Sequence, residues 1–256
     1  MSKIPTAERV SHRDPSDNYV FQRSLLAYRE AAGRVGGNVL EIGTGSGYGV
    51  EVVSPAASVY VTVDKHEPGQ GFDMYDNVSF RQMRVPPLGF PSNVFDWVIS
   101  FQVIEHIKDD FAFLAEVKRV LKPGGRFIVT TPNSRMSLTR NPWHVREYTP
   151  GEFTNLMECH FDRVEALGVF GNSAVMEYYE QNRRSVEKMA RLDPLRLQQW
   201  LPRWMLRGPY DVANRMNRRR LLKNNGELTT GITAGDYRLA PVGDQAFDLF
   251  FIGEKS

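Results

Sequence analysis

The chain has 256 residues, 41% of them apolar and 24% charged, enough to bury one sizeable core, so a single elaborated domain is expected. A formal net charge of +2 makes no whole-molecule field that would draw in nucleic acid or a membrane, and only local clustering of charge bears on partners. A lone cysteine, Cys159, excludes an intramolecular disulfide; with no secretory leader in the first residues and no stretch near the roughly 20 apolar residues that span a bilayer, a cytoplasmic protein is expected.

Residues 1–35 read as an N-terminal helical segment, in which Ser16 and Asp17 can cap a helix carrying Val20, Phe21, Leu25, Leu26 and Tyr28 on one face until Gly33 stops it. A core is expected over 36–171. "GNVLEIG" is a short buried strand, a helix runs from about Gly47 to Val53, and "SVYVTVD" is a strand ending at Asp64. "NVSFRQM" is a third strand and "VFDWVISFQV" a fourth, a continuous apolar run of the kind buried on both faces of a parallel sheet. "DDFAFLAEVKRVL" sets Phe111, Leu114, Val117, Val120 and Leu121 at helical spacing, and "KPGG" ends that helix before the strand "RFIVTTP". In "TPGEFTNLMECHF" Thr149 caps a helix, Pro150 takes its first position and Glu152 completes a capping box; "DRVEALGVF" is then a strand. Residues 172–240 break the rhythm as a basic helical insertion, and a final strand lies in 241–256. Strands alternating with helices specify an α/β fold with an open, mostly parallel sheet and right-handed crossovers.

The stretch "VLEIGTGSGYG" places four glycines behind a strand. Such a turn lets a ligand approach the backbone and exposes amides at a helix start. A phosphate-cradling loop would end in Lys-Ser or Lys-Thr, which Gly47, Tyr48 and Gly49 do not supply, and a dinucleotide fold would space its glycines Gly-x-Gly-x-x-Gly, whereas these fall on every second residue.

Glu41 followed by Gly43, Gly45 and Gly47 resembles the first motif of the class I S-adenosylmethionine-dependent methyltransferases, in particular the methyltransferase type 11, UbiG-UbiE-like subgroup. The resemblance continues through Asp64, matching the acidic residue that binds the ribose hydroxyls, Asp96 at the start of the fourth strand, and "LKPGGRFIVTTPN". It implies a Rossmann-like seven-stranded sheet with the last strand antiparallel and helices on both faces, S-adenosylmethionine as cofactor and S-adenosylhomocysteine as product. It also implies cofactor contacts at Thr44, Tyr48, Lys65, Phe101 and Gln102 beside those motifs. In one place the sequence departs from the subgroup: Arg84 and Val85 stand where an Asp-Ala pair commonly touches the adenine, so Met83 and Arg84 are expected to meet its edge through their backbone. The physical reading agrees, because a ligand with a sulfonium, an ammonium and a ribose diol suits carboxylates at strand ends better than a basic cradle.

Methyl transfer is an in-line displacement whose main demand is a positioned nucleophile, with a base near neutral pKa to take a hydroxyl proton. His106 in "QVIEHIKDD" and His144 in "NPWHVREYT" follow the fourth and fifth strands, where ligands gather in open parallel sheets, and both are candidate general bases. His12, His66 and His160 read as surface or local structural residues, and no metal is expected. Between 172 and 226, twelve Lys and Arg face five Asp and Glu, interleaved with Trp200, Leu201, Trp204, Met205, Leu206 and Tyr210. This insertion can reach over the site and select the acceptor, expected to be a small molecule, sugar or lipid-linked glycan methylated on oxygen, with a peripheral membrane contact through the same basic residues. Methylation of a metabolite at carbon or nitrogen, or a non-catalytic adenosylmethionine-binding protein, are the alternatives. Nucleic acid is not expected, because no binding module accompanies the basic residues.

Overall fold

The computed structural model describes residues 10, 13–69, 71–190 and 201–256. Eight strands form one sheet: β1 (Asn38–Ile42), β2 (Val59–Asp64), β3 (Val78–Gln82), β4 (Phe95–Phe101), β5 (Leu121–Pro132), β6 (Arg163–Gly171), β7 (Tyr237–Pro241) and β8 (Asp248–Glu254), in the spatial order β3-β2-β1-β4-β5-β8-β6-β7. The first five are parallel. β8 enters antiparallel between β5 and β6, so that Phe251 pairs with Val129 on one side and Ala166 on the other.

Around the sheet lie α1 (Asn18–Ala32), α2 (Tyr48–Val53), α3 (Asp110–Val120), α4 (Pro150–Glu158), α5 (Ser173–Ala190), α6 (Arg203–Asn224) and α7 (Gly226–Gly231). Because successive strand residues point to opposite faces, near-continuous apolar strands feed two cores. Val39, Ile99, Ile128 and Phe250 pack with α1, α2, α5 and α6, while Leu40, Val98, Val129 and Phe251 pack with α3 and α4. Each fully buried side chain of this size contributes about 1.5–3 kcal/mol.

The sheet has eight strands where seven were expected. The additional strand, β7, lies in the stretch expected to be helical and pairs antiparallel with β6 from Gly171↔Tyr237 to Leu167↔Pro241. Five residues ending in a proline that donates no ladder hydrogen bond suit an edge and carry little pattern. Phe111, expected on the inner face of α3, is 58% exposed and packs on His160, while Phe113 is fully buried. The cause is the helix start: Asp109 caps α3 by accepting from Ala112 N at 2.9 Å, which turns Phe113, Leu114 and Val117 inward. "KPGG" does not break the chain between helix and strand. It forms the first part of β5, where Gly124 takes φ +76° and the register with β4 shifts between Phe95↔Leu121 and Trp97↔Arg126. The capping box at α4 is present, with Glu152 N donating to Thr149 Oγ1 at 3.3 Å and Thr149 N to Glu152 Oε2 at 2.8 Å.

The insertion is seated by charge. Asp17, fully buried before α1, accepts from Arg215 and Arg218 of α6 at 2.8 Å each. Arg23 of α1 pairs with buried Asp248 of β8 at 2.8 Å. Trp200 and His12, singled out in the sequence, lie outside the described residues, as do Arg191 and Arg196 of the twelve basic residues counted there. Among the described residues no helix is long and apolar enough to cross a membrane.

Candidate active site

Between β1 and α2 the chain turns at the carboxyl edge of the sheet. Gly43, Gly45 and Gly47 take φ of +100°, +58° and +87°, the left-handed region that favours glycine. A Cβ on Gly43 would strike Val103 Cγ2 at 2.4 Å, whereas one on Gly45 would meet nothing closer than the Gly43 carbonyl oxygen at 4.0 Å, so the turn is bare where it faces open space. Gly49 serves packing instead: a Cβ there would lie 2.1 Å from Tyr28 Cε1. Asp64 ties the turn to the next strand, accepting from Gly45 N at 3.0 Å through Oδ2 and from His66 N at 2.9 Å through Oδ1.

Glu41 lies beneath this turn. It is 1% exposed and accepts from Tyr28 Oη at 2.9 Å and Thr62 Oγ1 at 2.6 Å, and Thr62 in turn meets Thr44 Oγ1 at 2.5 Å. Burial pushes its carboxyl above the usual range, against the pull of the Thr62 and Tyr28 hydroxyls.

A cleft of about 950 Å³ opens above the turn. Of the residues expected to hold the cofactor, Gly43, Thr44, Gly45, Tyr48, Asp64, Lys65, Met83, Arg84, Phe101 and Gln102 line it, and Glu41 and Gly47 do not. His66, read as a surface residue, also lines it. Gln102 sits at φ +57°, uncommon for a side chain of its kind, with its backbone N donating to the Thr130 carbonyl at 3.0 Å. The segment after the wall at Met83 to Val85 is held by α3, and Gly89 N, between the two gripped residues, meets Met83 Sδ at 3.4 Å. Glu116 Oε2 accepts from Leu88 N at 2.8 Å, while Arg119 donates to the carbonyls of Leu88 and Phe90 at 2.8 Å each. A smaller cavity of about 370 Å³ lies away from these residues, among Arg34, Trp97 and the ion-paired Arg126 and Glu254.

Both candidate bases line the other end of the cleft, with ring centroids 5.0 Å apart. His106 Nδ1 lies 3.0 Å from the Trp143 carbonyl, and His144 Nδ1 lies 2.6 Å from Glu147 Oε1. Each partner can only accept, so each Nδ1 carries a proton. The Asn141 oxygen accepts from Trp143 N at 3.0 Å, which turns Asn141 Nδ2 toward His144 Nε2 at 2.9 Å. The two loops are fastened together by Val145 N, which donates to the Glu105 carbonyl at 2.6 Å.

Helix α1, through Val20, Arg23, Ser24 and Tyr28, and the insertion form further walls. Tyr210 and Arg218 of α6 line the cleft, Trp143 Nε1 donates to Asp211 at 3.0 Å, and the Arg207 guanidinium lies 4.4 Å from the Trp143 ring centre. His160 is structural, bonded to the Leu156 and Phe111 carbonyls at 3.0 and 3.2 Å. Sequence reasoning did not assign Glu147, Asn141, Glu116 or Arg119. A carboxylate three residues after His144 was the only signal for Glu147, and the others act across turns that spacing does not reveal.

Comparison with known proteins identifies the family. Residues 18–223 match the family model for a methyltransferase domain. Two relatives carry the name "Probable S-adenosylmethionine-dependent methyltransferase". One, from Mycolicibacterium smegmatis, is 36% identical over 187 residues, covering 69% of this chain and 72% of its own length. The other, from Mycobacterium tuberculosis, is 34% identical over 175 residues, covering 64% of each. Among solved structures, an S-adenosylmethionine-dependent methyltransferase of Thermotoga maritima superposes with a TM-score of 0.59 at 14% identity, over 93% of this chain and 91% of that one, a likeness of fold. The chain belongs to the methyltransferase-domain family, as a class I S-adenosylmethionine-dependent member.

Proposed function

We propose that the protein methylates a hydroxyl oxygen of a small-molecule or glycan-type acceptor, sugar or lipid-linked. The observation that carries this reading is one cleft with the glycine turn and Asp64 at one end and the His106 and His144 pair at the other. The first end fits the cofactor. The space before Gly45 takes its backbone-hugging part, and each Asp64 oxygen retains acceptor capacity beyond the amide it already takes, which suits a ribose diol. The Met83, Arg84 and Val85 wall offers backbone groups to the adenine edge.

When bound, S-adenosylmethionine supplies a methyl carbon activated by positive sulfur. The chain's task is to hold an acceptor oxygen in line with it and to relieve that oxygen of its proton. The Nε2 sides of His106 and His144, with their Nδ1 protons anchored on Trp143 and Glu147, suit that task. Tyr210 and Arg218 give the acceptor side an aromatic and cationic wall. The outward face of α6, with Trp204 72% and Met216 66% exposed beside Arg219 and Arg220, rests on an anionic membrane surface that presents lipid-linked acceptors.

Methyl-labelled cofactor incubated with the protein and pools of sugars, lipid-linked glycans and hydroxylated metabolites is expected to place label on oxygen. Label on nitrogen or carbon, or adenosylhomocysteine binding with no transfer into any pool, overturns the reading.

A further inference from the structure

At the acceptor end of the cleft, the fold brings a third group up to the two histidines. Glu105, fully buried, sits in the turn before His106, and its Oε2 accepts from Thr131 Oγ1 at 3.1 Å. One ligating atom from each of Glu105, His106 and His144 lies within 4.8 Å of the others. We propose that these three side chains bind a divalent transition-metal cation.

The outer contacts are those of metal-ligating histidines. Such residues donate their second ring nitrogen to a carboxylate or a carbonyl, which fixes the tautomer and aims the remaining lone pair. His106 does so toward the Trp143 carbonyl and His144 toward Glu147. Asn141 Nδ2 marks the place of the cation on His144 Nε2, and the amide swings out when the cation arrives. The scaffold is already drawn together, since the Glu105 carbonyl receives Val145 N at 2.6 Å and thereby couples the turn of Glu105 and His106 to the loop of His144.

Bonds of about 2.0–2.2 Å to imidazole nitrogen and carboxylate oxygen put neighbouring ligands roughly 3.3 Å apart, so the cluster closes by small side-chain rotations. Two imidazoles and one carboxylate favour zinc, cobalt, iron or manganese over magnesium and calcium, which take oxygen ligands. Three protein ligands with the histidines facing the cleft leave a position for a substrate oxygen, the pattern of a catalytic site and not of a closed structural one. The consequence for the reaction rests on the proposed O-methylation: with its Nε2 lone pairs taken up as ligands the histidine pair would no longer act as bases, and the cation would instead hold the acceptor hydroxyl and lower its pKa. The binding itself does not depend on that reading.

The test is a titration of chelator-treated full-length protein with cobalt(II) chloride, read by visible absorption and by calorimetry. One equivalent is expected to bind with the ligand-field bands of a low-coordinate nitrogen and oxygen site, and zinc is expected to displace it. Glu105→Gln, His106→Ala and His144→Ala should each weaken binding more than tenfold, and Glu147→Gln by about tenfold, as loss of an outer partner does. His160→Ala should leave it unchanged, and adenosylhomocysteine binding and circular dichroism report whether each variant is folded. No cobalt binding, or binding that survives all of the cluster variants, overturns the site. Turnover separates the two proposals. Oxygen methylation undiminished by the chelator removes the cation from the reaction and keeps the acceptor reading, whereas stoichiometric cobalt binding with label only on nitrogen or carbon keeps the site and overturns that reading.

Discussion

Asp64 spends both carboxylate oxygens on backbone amides, one in the glycine turn and one past the end of β2. It therefore shapes the turn as well as offering acceptors to a ligand. Asp64→Ala is expected to weaken adenosylhomocysteine binding by about ten- to a hundredfold, or roughly 1.5–3 kcal/mol for hydrogen bonds to a charged group. Calorimetry checks this, and an unchanged Kd would remove Asp64 from the cofactor site. The histidines predict a different pattern. His106→Ala or His144→Ala should cut turnover by roughly 10²–10⁴ with cofactor affinity intact, and a loss of affinity without loss of turnover would exclude both from the chemistry. These residues were legible because a glycine turn and a strand-end carboxylate are local constraints written in consecutive letters. Glu41 shows the limit: its type and place in the motif were readable, but its burial under Tyr28 and Thr62 follows from residues 13 and 21 positions away.

At the scale of elements, α3 acts on the cleft without lining it. Its Glu116 and Arg119 grip the backbone of Leu88 and Phe90 and so brace the wall at Met83 to Val85. The Arg119 guanidinium beside Glu116 holds that carboxyl below its ordinary value of 4.5. A depressed carboxyl stabilises above its unfolded-state pKa and loses that contribution as pH falls through the folded one. The contribution of the brace is thus full above about pH 4.5 and fades as pH falls from there through the lowered folded value. Glu116→Ala should raise the cofactor Kd several-fold at neutral pH, and wild type and variant should converge in stability as pH drops below that point. Denaturant titrations across pH check this, and a stability difference between wild type and variant that does not shrink on acidification would show that Glu116 is not ionised in the brace. The strands and α3 were readable from apolar periodicity, whereas β7 was not, because five residues on an edge bury too little to leave a pattern.

In the whole molecule, the insertion and the N-terminal segment are clasped by Asp17 with Arg215 and Arg218. Contacts between residues 198 and 201 positions apart leave no trace in local sequence, and this is why the arginines of the basic insertion, undifferentiated in the sequence, prove to be divided. Arg218 is built into the clasp, and Arg219 and Arg220 remain exposed. Removing one partner of a buried ion pair costs about 3–5 kcal/mol. Asp17→Ala should therefore lower Tm and raise the acceptor KM, because α6 walls that end of the cleft, while leaving adenosylhomocysteine affinity unchanged. Equal losses at both ends would show that the insertion does not act on the acceptor alone. Charge reversal at Arg219 and Arg220 should abolish sedimentation with anionic liposomes without affecting Tm, and retained sedimentation would exclude the membrane contact in that form.

The place of β8 has a consequence in time. Ribosomal synthesis delivers the chain from its N-terminus, yet the strand that joins β5 to the β6 and β7 pair is the last of the eight to emerge. Until then the open flank of β5, with Phe127 to Thr131, is an unsatisfied edge on a half-built sheet, and such an edge invites pairing with other chains. A nascent chain must hold that edge unpartnered through more than a hundred further residues, which makes the synthesis of β8 the point of commitment and the preceding interval the period in which the edge of β5 is most exposed to pairing with other chains.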